Sequence, residues 1–177
     1  MKIQKKYYLK QYFILLLIGF SLYASQIQAQ NKIDDIGVEI NHSKASSKIY
    51  LGSPSIIILK NGRYLSYHSE MGPNSGNTSH PTAHIYFSKD KGVTWQKRTT
   101  INNIVWANLF LHNDVIYLMG TSKVYGDLVI RKSIDNGKTW TEAKDNNSGL
   151  LRNDFEYHTA PVPVVTYKDR LYRAVEV

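Results

Sequence analysis

Ser88-Lys89-Asp90-Lys91-Gly92-Val93-Thr94-Trp95 and Ser133-Ile134-Asp135-Asn136-Gly137-Lys138-Thr139-Trp140 read SKDKGVTW and SIDNGKTW. Ser, Asp, Gly, Thr and Trp are identical in the two copies, which start at residues 88 and 133, 45 residues apart. That interval is the length of a four-stranded propeller blade. Each residue type suits a tight turn. Asp90 and Asp135 can accept from backbone amides two residues on. Gly92 and Gly137 can take positive φ without a Cβ penalty. Thr94 and Thr139 restart a strand, and Trp95 and Trp140 can pack between blades. The copies read as structural staples of an all-β fold, not as a substrate site.

Short strands and turns surround both copies. Ser55–Leu59 is a continuous apolar run that fits an innermost strand, Asn61-Gly62 is a hairpin signal, and Arg63–His68 is a second strand. A long polar loop, 69–82, leads to a third strand at His84–Ser88, and Trp95–Arg98 follows as the fourth. The second unit repeats the layout: Trp106–Leu111, a turn at Asn113-Asp114, Val115–Gly120, Leu128–Lys132, and a fourth strand at Thr139–Glu142. A third begins at Ala160–Thr166, turns at Lys168-Asp169 and runs on through Leu171–Val177. The expected organisation is a segment 1–29, a lead-in 30–50, and a partial propeller 51–177 with blades at 51–98 and 104–143 and the start of a third at 159–177. A third copy of the motif falls due near residue 178, so about two and a half blades are expected, as the front part of a longer protein.

The first 29 residues read as a secretory signal peptide. Lys2, Lys5, Lys6 and Lys10 precede the apolar run Tyr12–Ala24, which is too short to span a bilayer. Cleavage is expected near Ala29, giving a secreted or periplasmic bacterial product that meets the membrane only during export. The chain has no Cys, which excludes disulfides, thiolate metal sites and a Cys nucleophile. Its formal charge is +8, but four of its 22 basic residues lie in the leader, against 14 acidic residues overall. No basic run marks a nucleic-acid partner. The His residues lack a ligand spacing and no acidic loop fits calcium, so no metal and no cofactor are expected.

The S-x-D-x-G-x-T-W motif is the Asp box of the sialidase and BNR-repeat propellers, and the chain resembles that superfamily over residues 50 to 177. The resemblance implies a sialidase-like propeller, six-bladed when complete. Sialidases carry Arg-Ile-Pro on the first inner strand. The matching stretch here is Tyr50-Leu51-Gly52-Ser53-Pro54, with Gly52 where the Arg would stand. The run Tyr157–Val165, followed by Asp169–Glu176, is similar to secreted bacterial sialidase-like proteins.

In up-and-down blades the motif turns share one end, and the long connections 69–82, 99–105 and 144–159 share the other. Binding residues are expected on those loops. Candidate catalytic residues are His68, Glu70, Glu156 and His158. Candidate substrate-binding residues are Asn77, His80, Trp106, Lys123, Tyr125, Tyr157 and Arg173, with Asn74, Arg152, Asp154 and Glu176 nearby in the sequence pattern. His84, inside a strand, reads as a packed residue. The resemblance implies a glycan or polysaccharide partner and an exo-glycosidase, if the full-length propeller exists. The alternatives are a polysaccharide lyase on the same scaffold, with His or Tyr removing a proton beside a uronate held by Arg, or a non-catalytic binding propeller or truncated remnant.

Overall fold

Asn61 and Gly62 reverse the chain as their residue types dictate. Gly62 adopts φ +76°, Asn61 Oδ1 accepts from the Arg63 amide at 3.1 Å, and the Leu59 amide donates to Arg63 O at 2.8 Å. This turn joins β1 (Tyr50–Ile58) to β2 (Tyr64–Met71). β3 (Thr82–Ser88) and β4 (Gln96–Asn102) complete a four-stranded antiparallel sheet in the order β1-β2-β3-β4. A second sheet of the same order holds β5 (Val105–His112), β6 (Val115–Thr121), β7 (Gly126–Ser133) and β8 (Leu150–Tyr157). β9 (Val165–Tyr167) and β10 (Arg170–Tyr172) form a hairpin, and His158 and Glu176 exchange backbone hydrogen bonds as an isolated bridge beyond it.

This computed structural model describes residues 37–177 apart from Pro161. The expected signal peptide, its cleavage point at Ala29 and the lead-in up to residue 36 lie outside the described residues. Residues 40–177 form one compact unit, and residues 37–39 carry no regular structure. Among the described residues no helix is long and apolar enough to cross a membrane.

The fold is all-β, and its two sheets are propeller blades packed face to face. Alternation along β2 puts Leu65, Tyr67 and Ser69 on one face, all fully buried, and Ser66, His68 and Glu70 on the other. The first face, with Ala83, Ile85 and Phe87 of β3, packs against Ile104, Ala107, Leu109, Ile116 and Leu118 at the second blade. Each Leu, Ile or Phe side chain among them contributes about 1.5–3 kcal/mol through burial. Ser55 Oγ accepts from the Leu109 amide at 3.0 Å, tying the inner strands together.

The two motif turns share one hydrogen-bond plan. Ser88 Oγ donates to Asp90 Oδ1 at 2.7 Å and accepts from Gly92 N at 2.8 Å. Asp90 takes Thr94 N at 2.9 Å and Thr94 Oγ1 at 2.5 Å, and the Trp95 indole donates to Gly92 O at 3.0 Å. In the second copy the matching contacts are 2.8, 2.9, 2.9, 2.7 and 3.1 Å. Each Asp therefore reaches the amide four residues on, not two, because both its oxygens bridge the whole turn. Trp140 packs on the inter-blade core, whereas Trp95 packs on Tyr64 of its own blade at 6.4 Å between rings.

The fourth strand of the second blade departs from expectation. It is β8, Leu150–Tyr157, and not Thr139–Glu142, so this blade runs to Tyr157 and not to residue 143. Thr141 makes a single backbone bond to Lys132 O, at 3.0 Å, and its hydroxyl takes the Lys132 amide, also at 3.0 Å. The chain then turns at Asp145, whose carboxylate accepts from Asn147 N and Ser148 N. Gly149, at φ +120°, redirects it into β8. The first blade likewise extends to Asn102, leaving only residues 103–104 as the connection to β5.

Candidate functional site

Both inner strands are broken at the same place. The β1–β2 register slips between Gly52 and Ser55, and the β5–β6 register slips between Val105 and Asn108. Each bulge carries one non-glycine residue in the left-handed region, Ser53 at φ +54° and Trp106 at φ +52°. That conformation is disfavoured for any residue with a Cβ, and such strain concentrates at functional positions. Both residues lie at the end of the blades opposite the motif turns. Ser53 Oγ and the Trp106 indole N–H are buried without a hydrogen-bond partner. Buried polar atoms are ordinarily satisfied.

Trp106 belongs to an aromatic cluster. Its ring meets the His158 imidazole edge-on at 5.2 Å between centroids, and the Tyr125 ring lies 5.2 Å from that of His158. Tyr125 is itself in the left-handed region, φ +55°, at the tip of the β6–β7 loop and is 56% exposed. His158 Nδ1 sits 3.3 Å from Glu176 Oε2, so the carboxylate can hold the proton on Nδ1 and leave Nε2 to accept. Below the cluster, Arg173 donates to Met119 O at 2.6 Å and to Trp106 O at 2.9 Å. Burial pushes Arg173 down to about 10, against a small opposing effect of Tyr67. Tyr67 is pushed up to about 12 by its own burial, with its hydroxyl 2.5 Å from Ser69 Oγ.

The loops around this end are bonded across the blades. Val124 N donates to Asn77 O at 2.9 Å, and the Asn77 amide side chain reaches Met71 Sδ at 3.5 Å. Lys123 is half-buried beside Gly126, and His80 is exposed on the long loop of the first blade. Asn74 ties that loop to the segment before β1, donating through Nδ2 to Ser47 O at 2.9 Å.

His68 and Glu70 stand elsewhere, on the face of the first blade that points away from the second. His68 pairs across β2–β3 with His84, their rings 5.2 Å apart, and stacks on Tyr86 at 5.6 Å. Its Nε2 accepts from Asn41 Nδ2 at 3.0 Å. Burial and the neighbouring His84 lower its pKa, outweighing the Ser69 backbone and Glu70. Glu70 Oε1 accepts a hydrogen bond from His84 Nε2 at 2.7 Å, and His84 Nδ1 lies 3.3 Å from Thr100 Oγ1. His84, read from the sequence as packing alone, is thus the centre of this group. The signal was available: antiparallel pairing of two alternating strands puts it opposite His68.

A third group lies on β8. Arg152 grips Asp154 through both Nε and Nη2, and the Tyr157 hydroxyl donates to Asp154 Oδ1 at 2.8 Å. The Arg152 contact, then Tyr157, hold the Asp154 carboxyl below the usual carboxylate range. Burial, then Asp154, raises Tyr157. Glu156 is exposed on the same strand. The four candidate catalytic residues therefore fall in three places: His68 with Glu70, Glu156 on β8, and His158 in the aromatic cluster. Among the described residues no group of three or more His, Asp or Glu side chains stands ready to hold a metal ion.

No family model matches the chain, and no curated protein matches it. Solved structures do. The chain is similar to an α-L-arabinanase of Penicillium chrysogenum complexed with arabinobiose, with 21% identity and a TM-score of 0.41, over 53% of this chain and 34% of that one. It is similar to the GH93 α-L-arabinofuranosidase of Fusarium graminearum, with 16% identity and a TM-score of 0.44, over 59% and 33%. It is also similar to a Trypanosoma rangeli sialidase, with 17% identity and a TM-score of 0.45, over 64% and 18%. The matched part spans about a third or less of each of these proteins.

Proposed function

We propose that these blades belong to a secreted, glycan-active propeller of the glycoside hydrolase kind, and that the Trp106–Tyr125–His158 cluster receives a sugar. The observation that carries this reading is the strained, half-buried Trp106, set beside an exposed Tyr and a carboxylate-oriented His. Sugars present apolar C–H faces and a rim of hydroxyls. Aromatic rings with polar edges match both. In this assignment Trp106 and Tyr125 stack on the ring. His158, held by Glu176, accepts a proton or returns one.

Glycoside hydrolysis needs a proton donor at the leaving oxygen and a nucleophile or base on the opposite side. His158 with Glu176 is the acid–base pair offered at this end. The reacting partner and the hydrolytic step are assigned to the complete propeller. Export through the Lys-flanked apolar leader, with cleavage after Ala29, is part of the same proposal.

The test is titration of the chain with arabinobiose and, separately, with sialyllactose, followed by tryptophan fluorescence and by release of monosaccharide. One of the two sugars is expected to bind, and Trp106→Ala, Tyr125→Ala and His158→Gln each to weaken it at least about tenfold, roughly 1.4 kcal/mol. Absence of binding for both sugars, or variants that bind like the parent, sinks the assignment. Release of an unsaturated uronate from a uronate polymer would replace hydrolysis with elimination.

A further inference from the structure

We propose that Arg173 is a positioning residue: it clamps the bulged backbone of β5 so that Trp106 keeps its left-handed conformation, and Gly120 provides the space in which the clamp closes.

The bulge leaves Trp106 outside the β5–β6 ladder, because pairing passes from Val105 with Thr121 to Asn108 with Met119. Its carbonyl therefore loses a strand partner. Arg173 supplies one, with Nη2 at 2.9 Å from Trp106 O while Nη1 sits 2.6 Å from Met119 O on the adjacent strand. Two donors of one planar fork thus span β5 and β6 at the irregularity. The same Nη2 lies 3.3 Å from Thr159 Oγ1 and 3.4 Å from Ala160 O, next to His158. One guanidinium fixes the backbone under Trp106 and the segment that carries its ring partner. These partners are 54 and 67 residues away in sequence for Met119 and Trp106, and 14 for Thr159. A lysine ammonium is a point charge and cannot reproduce the planar fork.

Gly120 gives an independent observation. A Cβ at this position would lie 2.5 Å from Val105 O and 2.7 Å from Ala107 Cβ, the two residues that flank Trp106. Its φ is not in the left-handed region, so the requirement is for space alone. β6 approaches the bulge on a glycine, and any side chain there would push the bulge away from the fork. Arg173 was expected from the sequence to bind substrate. Its Nη donors are instead directed at three backbone carbonyls and one hydroxyl, and its effect on a ligand passes through Trp106.

The experiment has two arms, and only the second rests on the glycan reading. In the first, the Trp106 signal is isolated without ligand as the difference between the parent and Trp106→Phe in fluorescence and near-ultraviolet circular dichroism. Arg173→Lys, Arg173→Gln and Gly120→Ala are each expected to shift that signal towards solvent-exposed indole. The far-ultraviolet spectrum and the signals of Trp95 and Trp140 should hold. In the second, affinity for whichever of arabinobiose or sialyllactose binds the parent should fall at least about tenfold in all three variants.

An unchanged Trp106 signal in Arg173→Gln overturns the proposal, whatever happens to sugar binding. A shifted signal in a parent that binds neither sugar supports the clamp while removing the glycan reading. Should the variants fail to fold, side-chain proton exchange in the parent decides. Arg173 Nη protons should exchange far more slowly than those of exposed Arg170, and equal rates overturn the clamp.

Discussion

Gly149→Ala tests the placement of β8. Gly149 adopts φ +120°, and a Cβ built there would stand 2.0 Å from the carbonyl oxygen of Ile130, a backbone atom with no freedom to swing aside. Real Cβ contacts are not found below 3.0 Å, so the strands must part by at least 1.0 Å at this point. Yet Ile130 N donates to Gly149 O at 2.8 Å, the bond that opens the β7–β8 pairing. Losing it costs about 1 kcal/mol net. Forcing an alanine into this backbone conformation costs about 1–3 kcal/mol more. The sum is about 2–4 kcal/mol, which for a chain of this size lowers the midpoint of thermal unfolding by about 4–16 °C. The assay is thermal unfolding followed by circular dichroism, with Gly62→Ala as control. Gly62 also has positive φ, +76°, but nothing lies within 4 Å of its added Cβ, so it reports backbone strain without the clash. A Gly149→Ala protein within about 0.5 kcal/mol of the parent, the range of an innocuous surface change, would refute the β7–β8 register. It would return the fourth strand to Thr139–Glu142.

Acid should act through the two motif carboxyls. Asp90 is lowered to about 2, chiefly by the Thr94 hydroxyl and then the Thr94 amide, and Asp135 is lowered to about 2, chiefly by the Thr139 amide. A depressed folded-state pKa contributes stability that is fully present above the unfolded value of 3.8 and disappears as pH falls towards about 2. Urea midpoints measured across that window should decline steeply in the parent and less steeply in Asp90→Asn and Asp135→Asn, with an equal slope in all three counting against the role of these bonds. Export is checked by sequencing the N-terminus of the protein recovered outside the cytoplasm. A chain beginning at Gln30 supports it, and one beginning at Met1 does not.

The strand order of the first blade was legible because local chemistry and tertiary packing agree there. Asn61-Gly62 can only turn, Ser55–Leu59 can only be buried on at least one side, and the motif's Asp, Gly and Thr make their bonds within eight residues. The second blade misled at one point for a physical reason. After Trp140 the sequence Thr-Glu-Ala-Lys has no turn signal, so a strand there is a fair inference, but Thr141 uses its hydroxyl to take the Lys132 amide and ends the ladder. The strand that replaces it, β8, is exposed along most of its length, with Phe155 57% exposed. It therefore lacks the apolar alternation by which a strand is recognised.

The residue types of the candidate cluster were legible in the sequence and its geometry was not. Counting strands puts Trp106, Tyr125, Lys123 and His158 at the end opposite the motif turns, where the structure has them, since the direction of each loop follows from up-and-down connectivity alone. What counting cannot give is the bulge. A left-handed Trp in an inner strand has no sequence signature, because its conformation is imposed by Arg173, 67 residues away, and by a glycine on the neighbouring strand. The same limit separated His68 from His158. Both are histidines at loop-side positions, but alternation along β2 sends His68 to the face opposite the buried Tyr67. A polar residue one place from a core residue on a strand looks away from that core, and that rule divides the candidates more sharply than their residue types do.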